Sequence, residues 1–407
     1  MTQVRIRKGL IMKKLAFVIP WYGKDIPGGA ENALRGITTH LHKAGVELEI
    51  LTTCVKEFSS DWNVDYYPEG MELVYDIPVR RFKVRQRNVP LFDSINLKLI
   101  QQNMPEPEEE EIFMEEMVNS PALYEYIRSH EEEYSWFVYI PYMFGTTYYG
   151  IQACPEKAVM IPCFHDESYV YMDVFKRVFP MVRGFLYHSA EEMKLANRVY
   201  DLSGAKQLVL GDGIDTDWNG DANEFRKKFC IKDPFILYAG RKDTGKQVHV
   251  LLQYFEQYKK KNNTSLKLVL IGGGEIAIPE GVRENVIDLG FVEQQDKYNA
   301  YAAAEALCQP SLFESFSIVI MESWIAGRPV LVNKKCTVTD YFVQETKGGF
   351  SFDDYHDFET AVNIILENKE EAERMGERGR QYVLEHFEWN AIVKKLITFF
   401  KELEENK

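Results

Sequence analysis

The alternation of short apolar runs with amphipathic helical patterns is the feature that most constrains the fold of this chain. "KLAFVIP" at 14–20 is followed by apolar residues at helical spacing over 28–45, and then by "VELEILTT" at 46–53. Short apolar runs of this length are typical of strands buried on both faces. The order strand, helix, strand, with a glycine-rich first turn, predicts the start of a doubly wound parallel sheet.

The same alternation restarts in the second half of the chain. Six more runs of strand length occur there: "PFILYAG", "LKLVLIG", "NVIDLG", "EALCQPS", "PVLVN" and "GGFSF". Helical segments separate most of them, which fits a second parallel sheet covered on both faces. The sequence therefore predicts an α/β fold with two Rossmann-like, doubly wound parallel-sheet domains facing across a cleft.

The length of 407 residues also favours two domains over one. The predicted bounds are 1–211 for an N-terminal domain and 212–386 for a C-terminal domain. Residues 387–407 are predicted to form a helix that packs back toward the N-terminal domain. A helical, highly charged insertion is expected at about 83–135, where acidic runs interrupt the alternation. Met12 is an alternative start to Met1.

Composition excludes several classes of function. The formal net charge of −14 argues against a nucleic-acid partner, because phosphate binding needs a basic surface. The six cysteines form no CxxC pair, which favours buried thiols in a reducing compartment over a zinc site. No apolar run reaches the roughly 18 residues of a membrane span. We therefore expect a cytoplasmic protein and leave open peripheral association with the inner face of a membrane.

The turns that follow predicted strands carry the candidate site residues, because open α/β sheets bind ligands beyond the carboxyl ends of their strands. In "GRKDTGK" (240–246), the side chains of Arg241 and Lys246 project from the same turn. Asp243 or Thr244 is a candidate N-cap for the next helix. A helix N-terminus beside two cations predicts a site for an anion such as a diphosphate.

A second turn, "ESFSIVIME" (314–322), places Glu314 and Glu322 at its two ends. If the stretch were helical throughout, the two carboxylates would be separated by about 12 Å along the axis. Each can accept hydrogen bonds from a vicinal diol, and the amides at the start of the helix are free donors. The pattern suits a ligand with a hydroxylated ring at each end and phosphates between.

A third turn, "GGAE" (28–31), lies in the first domain. Gly28 and Gly29 allow a backbone to approach a ligand closely at another helix N-terminus. Two glycines are a weak signal by themselves. We expect them to close over the same diphosphate from the other side of the cleft.

Several segments together resemble the retaining glycosyltransferases of family GT4, which have the GT-B fold. The resemblance rests on "AGRKDTGKQVHVLLQYF", "LVLIGGGE" and "IDLGFVEQQDKYNAYAAAEALCQPSLFESFSIVIMESWIAGRPVLV", together with the N-terminal "GGAE". It is strongest over about 206–390 and weaker over 13–55. The first domain also resembles one bacterial branch of the family through "LTTC", "PVRRF", "GTTYYG" and "IPCFHDE".

The resemblance implies a nucleotide-diphosphate sugar as donor. Arg241 and Lys246 match the pair that neutralises the diphosphate, so neither a metal nor another cofactor is expected. Glu322 matches the carboxylate on the ribose hydroxyls, and Glu314 matches the one at the transferred sugar. The implied activity is metal-independent transfer of a hexose, with retention, to a glycan or lipid-linked acceptor in bacterial cell-surface polysaccharide biosynthesis.

Further residues take roles from the same resemblance. The amides near Phe316 and Ser317 would meet the sugar and the β-phosphate, and Phe291 and Val292 would line the nucleobase. His165 matches a catalytic histidine near the transferred sugar, so the implied catalytic set is His165 with Glu314, Arg241 and Lys246. Ser317 stands where many members have glycine, which leaves the donor's identity open.

Two alternatives of other classes remain. A GT-B sugar-nucleotide epimerase shares the two-sheet architecture but needs no acceptor, and a non-catalytic protein could bind the sugar-nucleotide alone. A further hypothesis concerns the basic run at 80–87, "RRFKVRQR", which could recruit an anionic acceptor.

Overall fold

The computed structural model describes residues 13–24 and 26–405, so the alternative start at Met12 lies outside the described residues. The chain divides into two compact units. The first comprises the chain up to Gly213 together with the residues from Ile392 onward, and the second is Ile214–Ala391. The observed joint lies two residues beyond the predicted one, and residues 387–391 of the predicted terminal segment belong to the second unit.

The first unit is built on one sheet. Its strands are β1 (Lys14–Val18), β2 (Leu48–Thr53), β3 (Gly70–Val74), β4 (Ile77–Phe82), β5 (Tyr134–Tyr139), β6 (Ala158–Met160), β7 (Gly184–Tyr187) and β8 (Lys206–Val209). The spatial order is β3-β4-β2-β1-β5-β6-β7-β8. β3 and β4 pair antiparallel, and the other neighbours pair parallel. The chain order reverses between β1 and β5, so this sheet has its switch point there.

Helices cover both the connections and the charged insertion of the first unit. They are α1 (Gly29–Lys43), α2 (Val89–Ile100), α3 (Pro107–Glu116), α4 (Pro121–Ser129), α5 (Gly145–Ala153), α6 (Asp173–Val178) and α7 (Ala190–Val199). The helices α2, α3 and α4 occupy the predicted insertion, where proline stands in the first turn of each helix. Proline suits that position because its missing N–H would have no partner there.

The start of the basic run lies in a strand that the sequence analysis did not predict. Residues 78–82, just before the predicted insertion, form most of β4. Ile77 and Val79 are buried on one face, a period of two that indicates a strand. Arg81 is itself buried, pairs with Glu72 and stacks over the ring of Tyr67. That guanidinium is used inside the unit, so Arg81 does not form part of a free basic surface.

The second unit has a six-stranded sheet. Its strands are β9 (Phe235–Ala239), β10 (Lys267–Ile271), β11 (Val286–Asp288), β12 (Ala306–Gln309), β13 (Val330–Asn333) and β14 (Gly349–Phe352). All neighbours pair parallel, in the order β11-β10-β9-β12-β13-β14. These are the six strands that the apolar runs predict. Because the chain order reverses between β9 and β12, the switch point lies at the centre of the sheet.

The remaining helices cover the second sheet and end the chain. They are α8 (Ala222–Lys228), α9 (Val248–Lys261), α10 (Gln294–Ala303), α11 (Ile318–Ile325), α12 (Thr337–Thr346), α13 (Tyr355–Glu367), α14 (Lys369–His386) and α15 (Trp389–Glu405). Leu396, Phe399 and Phe400 are buried on one face of α15. A Cβ added at Gly184 in β7 would lie 2.8 Å from the Phe399 ring, so the end of α15 packs directly on the first sheet. Of the helices in the described ranges, none is long and apolar enough to cross a membrane.

Candidate functional site

The switch point of the second sheet brings two predicted turns together. The loop after β9 carries Arg241 and Lys246, and the loop after β12 carries Glu314. β9 and β12 are parallel neighbours, so both loops leave the same edge of the sheet. Lys246 and Glu314 are 68 positions apart in the chain and meet because the sheet order makes their strands adjacent.

Glu314 is held from two sides. Its Oε1 accepts a hydrogen bond from Lys246 Nζ at 2.8 Å and another from Gln309 Nε2 at 3.0 Å. Gln309 is the last residue of β12 and is buried. Sequence reasoning missed it, although a glutamine at the end of the apolar strand "ALCQ" is the signal that could have found it. The two donors fix one carboxylate oxygen of Glu314 at the carboxyl end of the central strands.

Arg241 is the exposed cation of this edge. Its side chain is 69% exposed and pairs with Asp243 in the same turn. Asp243 also accepts the backbone N–H of Lys246 at 2.8 Å. Burial acts to raise the pKa of Asp243, but the Lys246 amide and the Arg241 guanidinium outweigh it and hold the pKa below its usual value. Asp243 thereby shapes the turn that presents both cations.

The predicted N-cap of the next helix is wrong. α9 begins at Val248, and Gln247 precedes it in the left-handed conformation with φ 57°. Asp243 and Thr244 precede Gln247 in the chain. The Asp243 side chain accepts the backbone N–H of Lys246 within the turn and does not cap the helix. A left-handed residue just before the helix could not be read from a pattern of N-cap residue types.

A buried lysine that the sequence analysis did not single out fixes the Arg241 turn. Lys242 is 4% exposed, and its Nζ lies 2.5 Å from Asp288 Oδ1 at the end of β11. Gly272, after β10, has φ 122°, and a Cβ there would lie 2.1 Å from the carbonyl oxygen of Gly240. Only glycine allows the two loops to pack this closely. The turn with Arg241 is therefore anchored on both sides.

The start of α11 explains how "ESFSIVIME" is folded. The helix begins at Ile318, so Glu314 lies outside it, and the 12 Å axial estimate does not apply. Ser317 has φ 74°, and its buried Oγ has no hydrogen-bond partner among the described residues. The Phe316 ring packs edge-on against Phe342 and Phe387 in the core. Phe316 can therefore offer a ligand its backbone amide but not its ring.

Glu322 has partners that the sequence analysis did not assign. Its Oε1 lies 2.6 Å from Lys297 Nζ, and its Oε2 accepts from the Tyr301 hydroxyl at 2.7 Å. Lys297 and Tyr301 are four residues apart on α10, so they project from one face of that helix. Burial, and then the Glu322 charge, raise the pKa of Tyr301 well above its usual value. Glu322 is therefore an oriented, ion-paired carboxylate.

Phe291 and Val292 lie in the loop between β11 and α10. The Phe291 side chain is 89% exposed, and Val292 is half-buried. An exposed aromatic ring on a loop at the carboxyl end of a sheet is free to stack on a planar ligand. Its position fits the predicted contact with a nucleobase.

The candidate residues of the first unit also lie at carboxyl ends of strands. Gly28 and Gly29 follow β1 at the start of α1, and Gly28 has φ 149°. Side chains rarely adopt this φ, so the backbone favours glycine at position 28. His165 follows β6 and is partly exposed, with Nδ1 3.7 Å from Glu167 Oε1. Both segments border the carboxyl edge of their own sheet.

One cluster of described side chains has the spacing of metal ligands. Glu131, Cys154 and Glu156 offer ligand atoms within 4.8 Å of one another. These residues precede β5 and β6, so they lie at the amino-terminal edge of the first sheet. The cluster shares no residue with the candidate site of the second unit.

Comparisons with known proteins identify the class of this fold and of its second unit. The family model "Glycosyl transferases group 1" matches residues 221–382. The chain is 26% identical over 220 residues to an uncharacterized glycosyltransferase of Methanocaldococcus jannaschii, covering 50% of this chain and 56% of that protein. It is 30% identical over 189 residues to N-acetylgalactosamine-N,N'-diacetylbacillosaminyl-diphospho-undecaprenol 4-alpha-N-acetylgalactosaminyltransferase of Campylobacter jejuni, covering 44% and 50%. The chain thus spans about half the length of the curated relatives it matches.

A solved structure matches nearly the whole chain. The complex of Anabaena Alr3699/HepE with UDP-glucose aligns with a TM-score of 0.65 and 14% identity, covering 96% of this chain and 100% of that one. The predicted fold class, two parallel-sheet α/β domains of the GT-B kind, is confirmed. The second unit carries a Glycosyl transferases group 1 domain, as the resemblance to family GT4 implied.

Proposed function

We propose that this protein is a retaining, metal-independent glycosyltransferase. It moves a hexose from a nucleotide-diphosphate sugar to a glycan or lipid-linked acceptor in the biosynthesis of a cell-surface polysaccharide. The observation that carries the proposal is the 2.8 Å contact between Lys246 and Glu314 at the switch point of the second sheet. The contact supports the proposal because a lysine can bind a diphosphate and the carboxylate beside it can accept hydrogen bonds from sugar hydroxyls.

The assigned roles follow from charge and position. Lys246 and the exposed Arg241 bind the diphosphate and stabilise the negative charge that it gains as the bond to the sugar breaks. Glu314 accepts hydroxyls of the transferred sugar. Glu322 accepts the ribose hydroxyls, and Phe291 stacks on the base. The leaving phosphate oxygen takes the acceptor's proton, so no protein base is needed for that step. No protein nucleophile is assigned.

The first unit contributes the remaining roles. Gly28 and Gly29 present the N-terminus of α1, whose free amides suit a phosphate group. His165, at the carboxyl edge of the sheet, provides a donor or acceptor for the transferred sugar. We assign choice of the acceptor to this unit. The Campylobacter jejuni relative is named for an acceptor linked to diphospho-undecaprenol, and a lipid-linked acceptor is part of the proposal. Peripheral association with a membrane is part of the same proposal.

Metal independence rests on the two cations. In the proposed site, Arg241 and Lys246 neutralise the diphosphate, a task that a bound divalent ion can also perform. Transfer should therefore persist at full rate in excess EDTA. Loss of activity in EDTA with recovery on adding Mg²⁺ or Mn²⁺ would refute this part of the proposal.

The deciding experiment is a panel of nucleotide-sugars, beginning with UDP-glucose because the HepE structure contains it. Release of nucleotide is measured with and without candidate acceptors. A glycosyltransferase gives release that depends on acceptor, whereas an epimerase converts the donor alone and a non-catalytic binder does neither. Retention is then read from the anomeric configuration of the product.

Variants connect the activity to the site. Lys246→Met should lower kcat about 100-fold, the scale of a lost group that stabilises charge in the transition state. Lys260→Met is the matched control, because Lys260 also pairs with a glutamate and lies at the other end of α9. It should retain activity. Equal loss in both variants would show that the effect comes from stability and not from the site.

A further inference from the structure

Three adjacent strands of the first sheet deliver a cysteine, a histidine and an aspartate to one place. Cys163 follows β6, His188 follows β7 and Asp212 follows β8. The Cys163 Sγ lies 3.2 Å from His188 Nε2, and His188 Nδ1 lies 2.8 Å from Asp212 Oδ1. The second contact has the distance of an ion pair and not the alignment of a hydrogen bond. The three groups form a line, sulfur to imidazole to carboxylate.

The surrounding structure holds this line in place. Glu192 on α7 is buried and accepts the backbone N–H groups of Phe164 at 2.8 Å and of His188 at 2.6 Å. It therefore ties the segment after β6 to the segment after β7. Cys163 itself has φ 58°, a left-handed conformation that L-residues adopt at a cost. A strained backbone held by two fixed neighbours gives the thiol a fixed direction toward His188.

Among the cysteines, Cys163 combines partial exposure with a basic partner. Cys54, Cys154, Cys308 and Cys336 are buried, whereas Cys230 is exposed. Burial and nearby carboxylates raise the pKa of Cys154, and burial raises the pKa of Cys308. Burial also raises the pKa of the Cys163 thiol, but there His188 acts in the opposite direction. A thiol with a hydrogen-bonded base that is oriented by a third group has the arrangement of an activated nucleophile.

We propose that Cys163, His188 and Asp212 form a site at which small electrophiles modify the Cys163 thiol. Peroxides, with hydrogen peroxide as the simplest, are the class of compound that we expect to react there. The thiol gives its proton to His188 Nε2, and Asp212 stabilises the imidazolium that results. The sulfur electron pair then forms the new bond. With peroxide, an S–O bond forms as the O–O bond breaks, and the thiol is oxidised to a sulfenic acid. The departing hydroxide takes the proton from His188 and becomes water.

The electrostatics of His188 favour this transfer. Burial acts to lower the pKa of His188, but Asp212 and then Cys163 outweigh it and raise the pKa well above the usual value. Asp212 therefore stabilises the protonated form of His188. In the sequence, Cys163 lies two residues before His165, and the backbone between them is held by Glu192. If the proposed function holds, an adduct at Cys163 should slow glycosyl transfer by disturbing the segment that carries His165.

The test compares cysteines within one protein and needs no activity assay. Wild-type protein is treated with limiting iodoacetamide, and labelling at each cysteine is followed by peptide mass spectrometry. Here sulfur displaces iodide and the thiol proton passes to His188. We expect Cys163, although half-buried, to label at least as fast as exposed Cys230, while buried Cys308 stays unlabelled. Labelling of Cys163 slower than that of Cys230 overturns the proposal.

Variants then assign the cause. His188→Gln, and independently Asp212→Asn, should lower the ratio of Cys163 to Cys230 labelling by about tenfold or more, the low end of what a positioned base contributes. Labelling of Cys308 reports any loss of folding in either variant. An unchanged ratio in a folded variant overturns the proposal, and if both variants unfold the wild-type comparison decides. Peroxide treatment with a sulfenic-acid trap should mark Cys163 before Cys230, and the reverse order also overturns it.

The effect of Cys163 modification on glycosyl transfer is measured in a separate assay. Alkylation of wild-type protein should inhibit glycosyl transfer, and Cys163→Ser should be resistant to inhibition. Selective labelling without inhibition would leave the modification site standing and would count against the role assigned to His165. Failure of the labelling test would leave the proposed transferase activity untouched.

Discussion

Glu314 and Glu322 have different partners, so the two residues should fail in different ways when their charges are removed. Glu314→Gln should leave nucleoside-diphosphate affinity nearly unchanged and lower kcat, because in the proposed site its carboxylate meets charge that develops on the sugar. Glu322→Gln should weaken nucleotide binding by roughly 1–3 kcal/mol, the scale of a lost charged hydrogen bond. Calorimetry with nucleoside diphosphate and turnover with full donor separate the two effects.

The opposite pattern would mean that the ligand lies reversed along the site. If neither variant changes nucleotide binding or kcat, neither residue belongs to the site. The variants keep the shape of each side chain, so Tyr301 and Gln309 retain a polar neighbour. Thermal melts of both proteins serve as the control for folding.

Ser317 combines a strained backbone with a buried hydroxyl that has no partner among the described residues. Ser317→Gly should raise the free energy of unfolding by about 1 kcal/mol, because glycine adopts a positive φ without the steric cost. Ser317→Ala removes the hydroxyl but keeps the strain, so it should gain less. Urea titrations of the three proteins measure the order.

A stability of Ser317→Gly below that of the wild type would contradict this reading of the turn. Donor KM should be measured for the same proteins. A glycine variant that is more stable but binds donor more weakly would indicate that the Ser317 hydroxyl contacts the ligand.

At the scale of elements, the contact between Lys242 and Asp288 fixes the loop after β9 to the end of β11. Asp288→Ala should cost about 1–3 kcal/mol of unfolding free energy, because it leaves the buried Lys242 donor without its partner. Lys242→Met should cost less, since the carboxylate that remains is partly exposed and can reach water. Denaturant unfolding of the two variants and of the double variant gives the coupling between them.

The order of the two losses is the decisive result. A larger loss for Lys242→Met would mean that packing of the lysine stem, and not its charge, holds the loop. Both variants should also raise donor KM, because the same loop presents Arg241 and Lys246.

Elements were easier to predict from the sequence than contacts between them. Buried parallel strands are continuous apolar runs, so all six strands of the second sheet could be predicted. Strand β4 was missed because its arginines mask a period of two. Gln309 was missed although its partner Glu314 is only five residues away. Lys242 and Tyr301 were missed because their partners lie 46 and 21 residues away in the chain. Such pairs depend on the order of strands in the sheet, which local patterns do not contain.

At the scale of the whole molecule, the end of α15 should stabilise the first unit and not the second. Phe400 is fully buried, and residues from Ile392 onward belong to the first unit. Phe400→Ala should cost about 3–5 kcal/mol. Hydrogen exchange should then show lost protection in β5–β8, while β9–β14 keep theirs.

Phe255→Ala is the matched control, because Phe255 is equally buried in α9 of the second unit. It should give the reverse pattern of protection. Equal loss throughout both units in either variant would mean that the chain unfolds as a single cooperative body, and the division into units would have no thermodynamic meaning.

The chain enters and leaves the second unit at neighbouring points. Ile214 forms a β-bridge with Glu388, and the Ile214 amide donates to the Phe387 carbonyl at 2.8 Å. Trp389 Nε1 donates to Asp215 Oδ1 at 2.9 Å beside this bridge. In genetic terms, the codons for residues 214–391 form a cassette, because the first and last residues of the encoded unit lie close together. Segments with neighbouring ends can often be removed from one protein and inserted into another without loss of folding. A gene in which this cassette is replaced by that of a relative should therefore encode a chimaera whose donor preference travels with the cassette and whose acceptor preference remains with the host.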